Sequence, residues 1–273
     1  MYDLPSAPSA DYTIYYLSDG LFKIVRHNFH SHKEKKYHVQ RDSSFTKFQN
    51  SYSRAFSNCL DLLLSNEFAF FWTGTISPKK ADRFDLDFLR KKITQFFRDQ
   101  RKKYHSKIPY LIIPEEHKKG GIHFHGVITL PYEALCSFGK DSPLDLQQGE
   151  YYNWPDYQKA FGFCSLSPIR DRKATAFYMT KYLCKDQNFR LFDKGGHLYY
   201  CSQDLNRKSF ICFVYGENDA LESLIDFNGK YCGTGIAHLP FIDAFEIGEI
   251  KYEEIPYFDT LLGFDLAEFS ASG

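Results

Sequence analysis

The sequence has no apolar run approaching the 18 or so residues that a membrane-spanning helix needs, so it predicts no membrane partner. Its opening, MYDLPSAPSADY, lacks the basic n-region and apolar core of a secretory signal. No G-x-x-x-x-G-K-S/T segment occurs, which argues against a P-loop and predicts no intrinsic ATP hydrolysis. No internal repeat is visible. The 7 cysteines are odd in number and form no C-x-x-C pair, so a disulfide framework and a zinc ribbon are both poor readings. They read instead as reduced thiols of a cytosolic protein.

What is present is a globular composition, 43% apolar and 25% charged over 273 residues. The formal net charge is zero, but it is unevenly spread. Residues 214–273 carry 12 acidic side chains against Lys230 and Lys251, which leaves residues 1–213 at +10. A basic body with an acidic C-terminal region predicts a polyanionic partner for the body. Aromatic residues reach 18%, with 27 Phe and 20 Tyr, mostly core and in part a reserve of base-stacking rings.

Residues 1–50 are polar and mixed; His27, His30, His32 and His38 sit among basic residues and predict a solvated arm or edge strand. Residues 51–65 predict a helix with Phe56, Leu60, Leu63 and Leu64 on one face. FAFFWTGTIS, residues 68–77, reads as a central strand that ends before Pro78. Asp85 then caps a helix whose Leu86, Leu89, Ile93, Phe96 and Phe97 face a sheet. Arg90, Lys91, Arg98, Arg101, Lys102 and Lys103 form its solvated outer side. YLIIP (110–114) and IHFHGVITL (122–130) read as an antiparallel hairpin turned at Gly120-Gly121. Residues 139–158 predict a long loop, 163–166 a strand, and 173–185 a helix. GGHLYYCS and SFICFVYG read as strands around a turn at Asn206.

The chemistry concentrates on the hairpin and on the helix at 173–185. His123 and His125 are at i and i+2 of a strand, so both imidazoles point to one side and can chelate a divalent cation. Glu115 ends the neighbouring strand, and a short turn would bring its carboxylate beside them. Glu116 and His117 compete for that third position. Two histidines and one carboxylate leave coordination positions open for a substrate oxygen. On the helix, Tyr178, Lys181, Tyr182 and Lys185 fall at i, i+3, i+4 and i+7 and form one polar stripe. Adjacent ammonium groups and a metal-bound electrophile would both help a phenol act as a nucleophile.

Three ordered segments resemble the motifs of the HUH endonucleases. They are Thr73-Gly74-Thr75-Ile76-Ser77, His123-Phe124-His125-Gly126 and Tyr178-Met179-Thr180-Lys181-Tyr182. The last is similar to the form found in rolling-circle replication initiators (Rep) of single-stranded DNA phages and related plasmids. Gly74 departs from the pattern, which commonly has a bulky residue there. The resemblance implies an α+β fold with an antiparallel five-stranded sheet and flanking helices, a relative of the RNA-recognition fold. It implies that His123, His125 and Glu115 hold Mn²⁺ or Mg²⁺, with imidazole ligands favouring Mn²⁺. Tyr178 would attack a phosphorus of single-stranded DNA at a replication origin, with Tyr182 as second nucleophile and Lys181 offsetting charge. A 5′-phosphotyrosine would form and the released 3′-OH could prime synthesis by a separate polymerase. A separate helicase would unwind the duplex, all in the cytoplasm of a bacterial host.

The organisation expected is an N-terminal arm over 1–50, an endonuclease domain over 51–213 and an acidic region of unassigned role over 214–273. A relaxase or transposase would share the chemistry. A non-catalytic nucleic-acid-binding module on the same scaffold is the reading from another class. A metal hydrolase that uses water, with structural tyrosines, is a third.

Overall fold

The computed structural model describes residues 11–27, 43–117, 120–138, 150–183, 197–216, 218–228 and 232–238. The chain forms two compact units, one of residues 40–206 and one that joins residues 1–39 to residues 207–273. It opens with a hairpin, β1 (Tyr12–Ser18) and β2 (Leu21–His27). The two-residue turn is Asp19-Gly20, with φ of 47° and 71°. Positive φ at both central positions is the primed turn whose twist matches paired strands, and Asp-Gly is its preferred sequence.

In the 40–206 unit, α1 spans Ser43–Leu64, β3 Phe70–Gly74 and α2 Leu86–Tyr104. The hairpin strands are β4 (Tyr110–Glu116) and β5 (Ile122–Ile128). Then come β6 (Cys136–Ser137), β7 (Tyr152–Asn153), α3 (Pro155–Ala160), β8 (Cys164–Pro168), α4 (Arg172–Leu183) and β9 (Tyr200–Cys201). The antiparallel sheet has seven strands in the order β6-β7-β8-β3-β5-β4-β9, not the five expected. The excess lies at the edges, where β6, β7 and β9 are two residues long, too short for a period-2 pattern to show. Within the loop expected at 139–158, residues 152–153 and 155–158 belong to β7 and α3, and residues 139–149 lie outside the described ones.

Alternation along each strand divides the side chains between two faces. On one face Trp72, Tyr110, Ile112 and Phe124 meet Leu89, Ile93 and Phe97 of α2 and Tyr157 of α3. Phe97 stacks on Tyr110 with ring centroids 3.9 Å apart. Such a pair adds about 0.5–1.5 kcal/mol beyond its burial. Asp85 caps α2 as expected, its side chain accepting from the Phe88 N–H at 2.9 Å. On the other face Leu111, Ile113 and Val127 are buried, and α4 packs against both β4 and β5 with α1 beside it. The sheet is therefore covered by helices on both faces, and only the ends of its strands can carry polar clusters.

Asp156 ties α3 to α2. It accepts from Lys103 Nζ at 2.5 Å and from the Tyr104 hydroxyl at 2.8 Å. Burial raises its carboxyl, but these two partners outweigh burial and hold it below the ordinary aspartate value. A depressed native value contributes stability that is complete above the unfolded pKa, about 3.9, and is lost as pH falls through the folded one. Asp156→Asn is thus expected to lower the thermal midpoint at neutral pH. Its deficit should shrink below about pH 4 as the parent's carboxylate is protonated too. A deficit that is constant from neutral pH to acid would show that the carboxylate's charge is not what ties the helices.

The second unit completes the N-terminal hairpin with β10 (Ser209–Val214), α5 (Asp219–Ser223), β11 (Phe227–Asn228) and β12 (Cys232–His238). Its sheet runs β10-β1-β2-β12-β11, so β1 and β2 are interior strands, whereas residues 1–50 were expected to be an arm or edge elements. Tyr12, Ile14, Phe22, Ile24, Ile211, Val214 and Leu221 form its core. Glu222 pairs with Arg26 and accepts from the Tyr12 hydroxyl at 3.2 Å. The expected strands at YYCS and SFICFVYG both exist, as β9 and β10, but they belong to different sheets. Of the N-terminal histidines only His27 is described, on β2, with Thr13 Oγ1 at 2.7 Å from its Nε2. His30, His32, His38 and residues 239–273 lie outside the described residues.

Candidate metal centre and tyrosine pair

The β4–β5 register places Glu115 directly opposite His123, and Ile113 opposite His125. The β3–β5 register places Thr73 opposite His125. Alternation then puts Glu115, His123, His125 and Thr73 on one face and sends Glu116 to the other. Glu115 Oε2 lies 3.1 Å from His123 Nε2 and 2.7 Å from His125 Nε2. The three donor atoms all lie within 4.8 Å of one another. Of the competing third positions, Glu116 is opposite Ile122, and the His117 ring meets that of His123 edge-on with centroids 5.9 Å apart.

The cluster is partly sheltered, with side-chain exposures of 12% for Glu115, 21% for His123 and 12% for His125. Donors bound at about 2.0–2.2 Å to one ion sit roughly 3–3.5 Å apart, so the spacing suits a divalent cation with small adjustments. Two imidazole nitrogens and one carboxylate oxygen also suit a first-row transition metal or Mg²⁺. Thr73 Oγ1 is 3.3 Å from His125 Nδ1. This contact on the far nitrogen keeps Nε2 aimed at Glu115, the usual way a ligating imidazole is oriented.

The tyrosines come from α4, one turn apart. The Tyr182 ring lies flat on the His125 ring, with centroids 4.0 Å apart and planes within 13°. Its hydroxyl donates to the Tyr178 hydroxyl at 2.7 Å. Tyr182 is 6% exposed and Tyr178 47% exposed. Burial first, then the bond to Tyr178 and the negative charge of Glu115, push the Tyr182 phenol well above its ordinary value. The expected polar stripe is therefore split: Tyr182 is buried against the cluster while Tyr178 and Lys181 face solvent. Lys181 makes no hydrogen bond or ion pair among the described residues, and Lys185 lies outside them. Phe71 was missed by the sequence reading. Its ring meets Tyr178 edge-on at 5.5 Å and lies 6.3 Å from that of His125. Its position two residues before Thr73, on the same face of β3, was the available signal.

Gly74, the departure from the expected motif, has a steric cause. A Cβ built there would lie 2.3 Å from Trp72 Cζ2 and 2.6 Å from the Tyr157 hydroxyl oxygen. Those two rings fill the space that a larger residue would take, and the Tyr157 hydroxyl donates to the Thr75 carbonyl at 3.3 Å. Gly74→Ala is expected to cost about 1–3 kcal/mol through overpacking. Urea unfolding would show it as a lower midpoint with an unchanged slope. A parent-like midpoint would mean that the Trp72 and Tyr157 rings move aside freely.

Among the described residues no helix is long and apolar enough to cross a membrane. Neither the curated proteins nor the solved structures searched give a match to this chain. Residues 69–187 match a family model described as a replication-associated protein of the ORF2 type. That segment contains Glu115, His123, His125, Tyr178, Lys181 and Tyr182. The match supports a replication initiator: the stretch that builds the carboxylate–histidine cluster and the tyrosine pair is the stretch shared with a family of replication-associated proteins, which implies interaction with DNA.

Proposed function

We propose that this chain is an initiator of the HUH endonuclease type, which nicks and rejoins single-stranded DNA at a replication origin. The observation that carries the reading is the single Glu115 oxygen within hydrogen-bond distance of both histidines, under a tyrosine that stacks on one of them and bonds to another. A divalent cation held by His123, His125 and Glu115, Mn²⁺ or Mg²⁺, would supply Lewis-acid polarisation of the scissile phosphate.

The protein's own part follows from exposure and hydrogen bonding. Tyr178 is open to solvent and accepts a hydrogen bond from Tyr182, so its oxygen can meet a phosphate while the charge that develops on it is stabilised. The Tyr178 O–P bond forms as the P–O3′ bond breaks. The phenolic proton is lost and the leaving O3′ gains one, so a 5′-phosphotyrosine and a free 3′-OH result. Attack by a 3′-OH on that phosphotyrosine reverses the step and rejoins the strand. Lys181, beside Tyr178 on the exposed side of α4, would offset phosphate charge. Tyr182 is the second nucleophile if it swings off His125. With no P-loop in the sequence, unwinding falls to a separate helicase and extension of the 3′-OH to a separate polymerase.

The test is incubation of the protein with single-stranded oligonucleotides and Mn²⁺. A protein–DNA adduct that survives denaturation is expected. Metal-dependent cleavage with no adduct would point to water as the nucleophile, and DNA binding with neither would leave a non-catalytic binding module.

A further inference from the structure

On the sheet face turned away from the histidines, a cavity of about 300 Å³ lies between α2 and the edge strand β9. Tyr110 lines it, and Tyr110 and Glu115 are five residues apart on β4 and so face opposite ways. Three arginines enter it from α2: Arg90, Arg98 and Arg101, at i, i+8 and i+11 on one side of the helix. Tyr199 and Tyr200 enter it from β9 and the residue before it. No acidic residue lines it.

The arginines differ in how they are held. Arg101 donates from Nη2 to the Ile108 carbonyl and to Asp204, both at 3.1 Å, while its buried Nε has no hydrogen-bond partner. Arg90 has only a long contact to Asp87, 3.7 Å. Arg98 is exposed and makes no ion pair among the described residues. Burial raises the phenols of Tyr110 and Tyr200, while the positive charges of Arg101 and Arg98 act against this at Tyr110, and that of Arg90 at Tyr200. Each of these rings therefore sits beside a guanidinium. A merely solvated basic face, the reading the sequence suggested for this side of α2, would not close into a cavity walled by tyrosines.

We infer that this cavity is a second nucleic-acid site, which takes one nucleotide unit, its phosphate on Arg90, Arg98 and Arg101 and its base against the tyrosine rings. The volume falls at the lower end of the roughly 300–1,000 Å³ usual for small-ligand sites. Guanidinium forks suit phosphate oxygens, and aromatic rings accept any base. The unit could be part of a DNA strand or a free nucleotide. The inference rests on the proposed action on DNA but uses none of the catalytic residues.

The experiment uses the full chain without added metal. Binding of a short fluorescent single-stranded oligonucleotide is followed by anisotropy at low and moderate salt, and binding of a free deoxynucleoside monophosphate by calorimetry. Arg98→Glu is expected to weaken oligonucleotide binding about tenfold and to reduce its salt slope by about one. Arg98 makes no ion pair among the described residues, so the variant should unfold at the parent's temperature. Arg90→Ala with Arg98→Ala gives a second variant without charge reversal. Monophosphate binding that is lost in these variants would show that the site also accepts a free nucleotide; its absence from the parent would assign the site to a strand. Parent-like affinity of both variants for whatever the parent binds, or a parent that binds neither ligand, would overturn the inference. Adduct formation by the parent is scored separately. Arginine-dependent binding without an adduct would leave this site standing and sink the nickase reading, and the converse would do the reverse.

Discussion

Tyr178→Phe is expected to lower covalent adduct formation by at least about a thousandfold, because it removes the exposed oxygen that would attack phosphorus. Tyr182→Phe should be milder. It removes the hydrogen bond at 2.7 Å to the Tyr178 oxygen. A hydrogen bond to a charged group is worth about 1.5–3 kcal/mol, so a loss of roughly 10–100-fold is expected. The stacking of Tyr182 on His125 survives in the Phe variant, so the cluster should keep its geometry. Comparable partial activity in both single variants, with none in the double, would instead show that the two tyrosines alternate. Full adduct yield in the double variant would remove both from the chemistry. The measurement is a denaturing gel of protein incubated with labelled oligonucleotide and Mn²⁺, quantified against time.

The second large effect concerns the cation. A ligand that binds only the folded state at a hundred times its Kd stabilises by about 2.7 kcal/mol. For a unit of 150–250 residues that raises the thermal midpoint by roughly 5–10 °C. Mn²⁺ is expected to do this for the parent protein, and His123→Ala with His125→Ala should abolish the shift. Glu115→Gln should reduce it, since the amide is a poorer ligand than a carboxylate that reaches both imidazoles. A double variant that responds to Mn²⁺ as the parent does would place the cation elsewhere.

The parts of the fold that were readable are those with local signals. The β4–β5 hairpin was legible because YLIIP and IHFHGVITL flank a Gly-Gly turn, and the i, i+2 histidines then had to share a face. The α2 cap at Asp85 was legible for the same reason. The β1–β2 hairpin carried an Asp-Gly turn as clear as any in the chain. It was passed over because residues 1–50 look polar as a block. Sheet membership was not legible: nothing local to SFICFVYG says that it pairs with Tyr12–Ser18 and not with its neighbour YYCS. The unequal exposure of the tyrosines was equally hidden. Helical spacing makes Tyr178 and Tyr182 equivalent, and only the long-range approach of the His125 ring buries one and leaves the other open. Gly74 looked like a flaw in a motif and is a packing requirement, visible once Tyr157 arrives from a distant helix.

The way β1 and β2 find their partners has a consequence for synthesis. The hairpin is the first described piece of the chain to leave the ribosome, yet Tyr12 pairs with Val214 and Leu21 with His238. Until those late residues emerge, both long edges of a twisted two-stranded ribbon stay unpaired, and a lone hairpin is at best marginally stable in water. The 40–206 unit, whose strand partners all lie within it, can complete its sheet during that interval. Nascent chains released early should therefore hold an ordered central unit and an N-terminal ribbon open to strand exchange with another copy. Truncation after residue 206 is the simplest imitation of such a chain, and self-association of that fragment through its first 27 residues is the behaviour this connectivity invites.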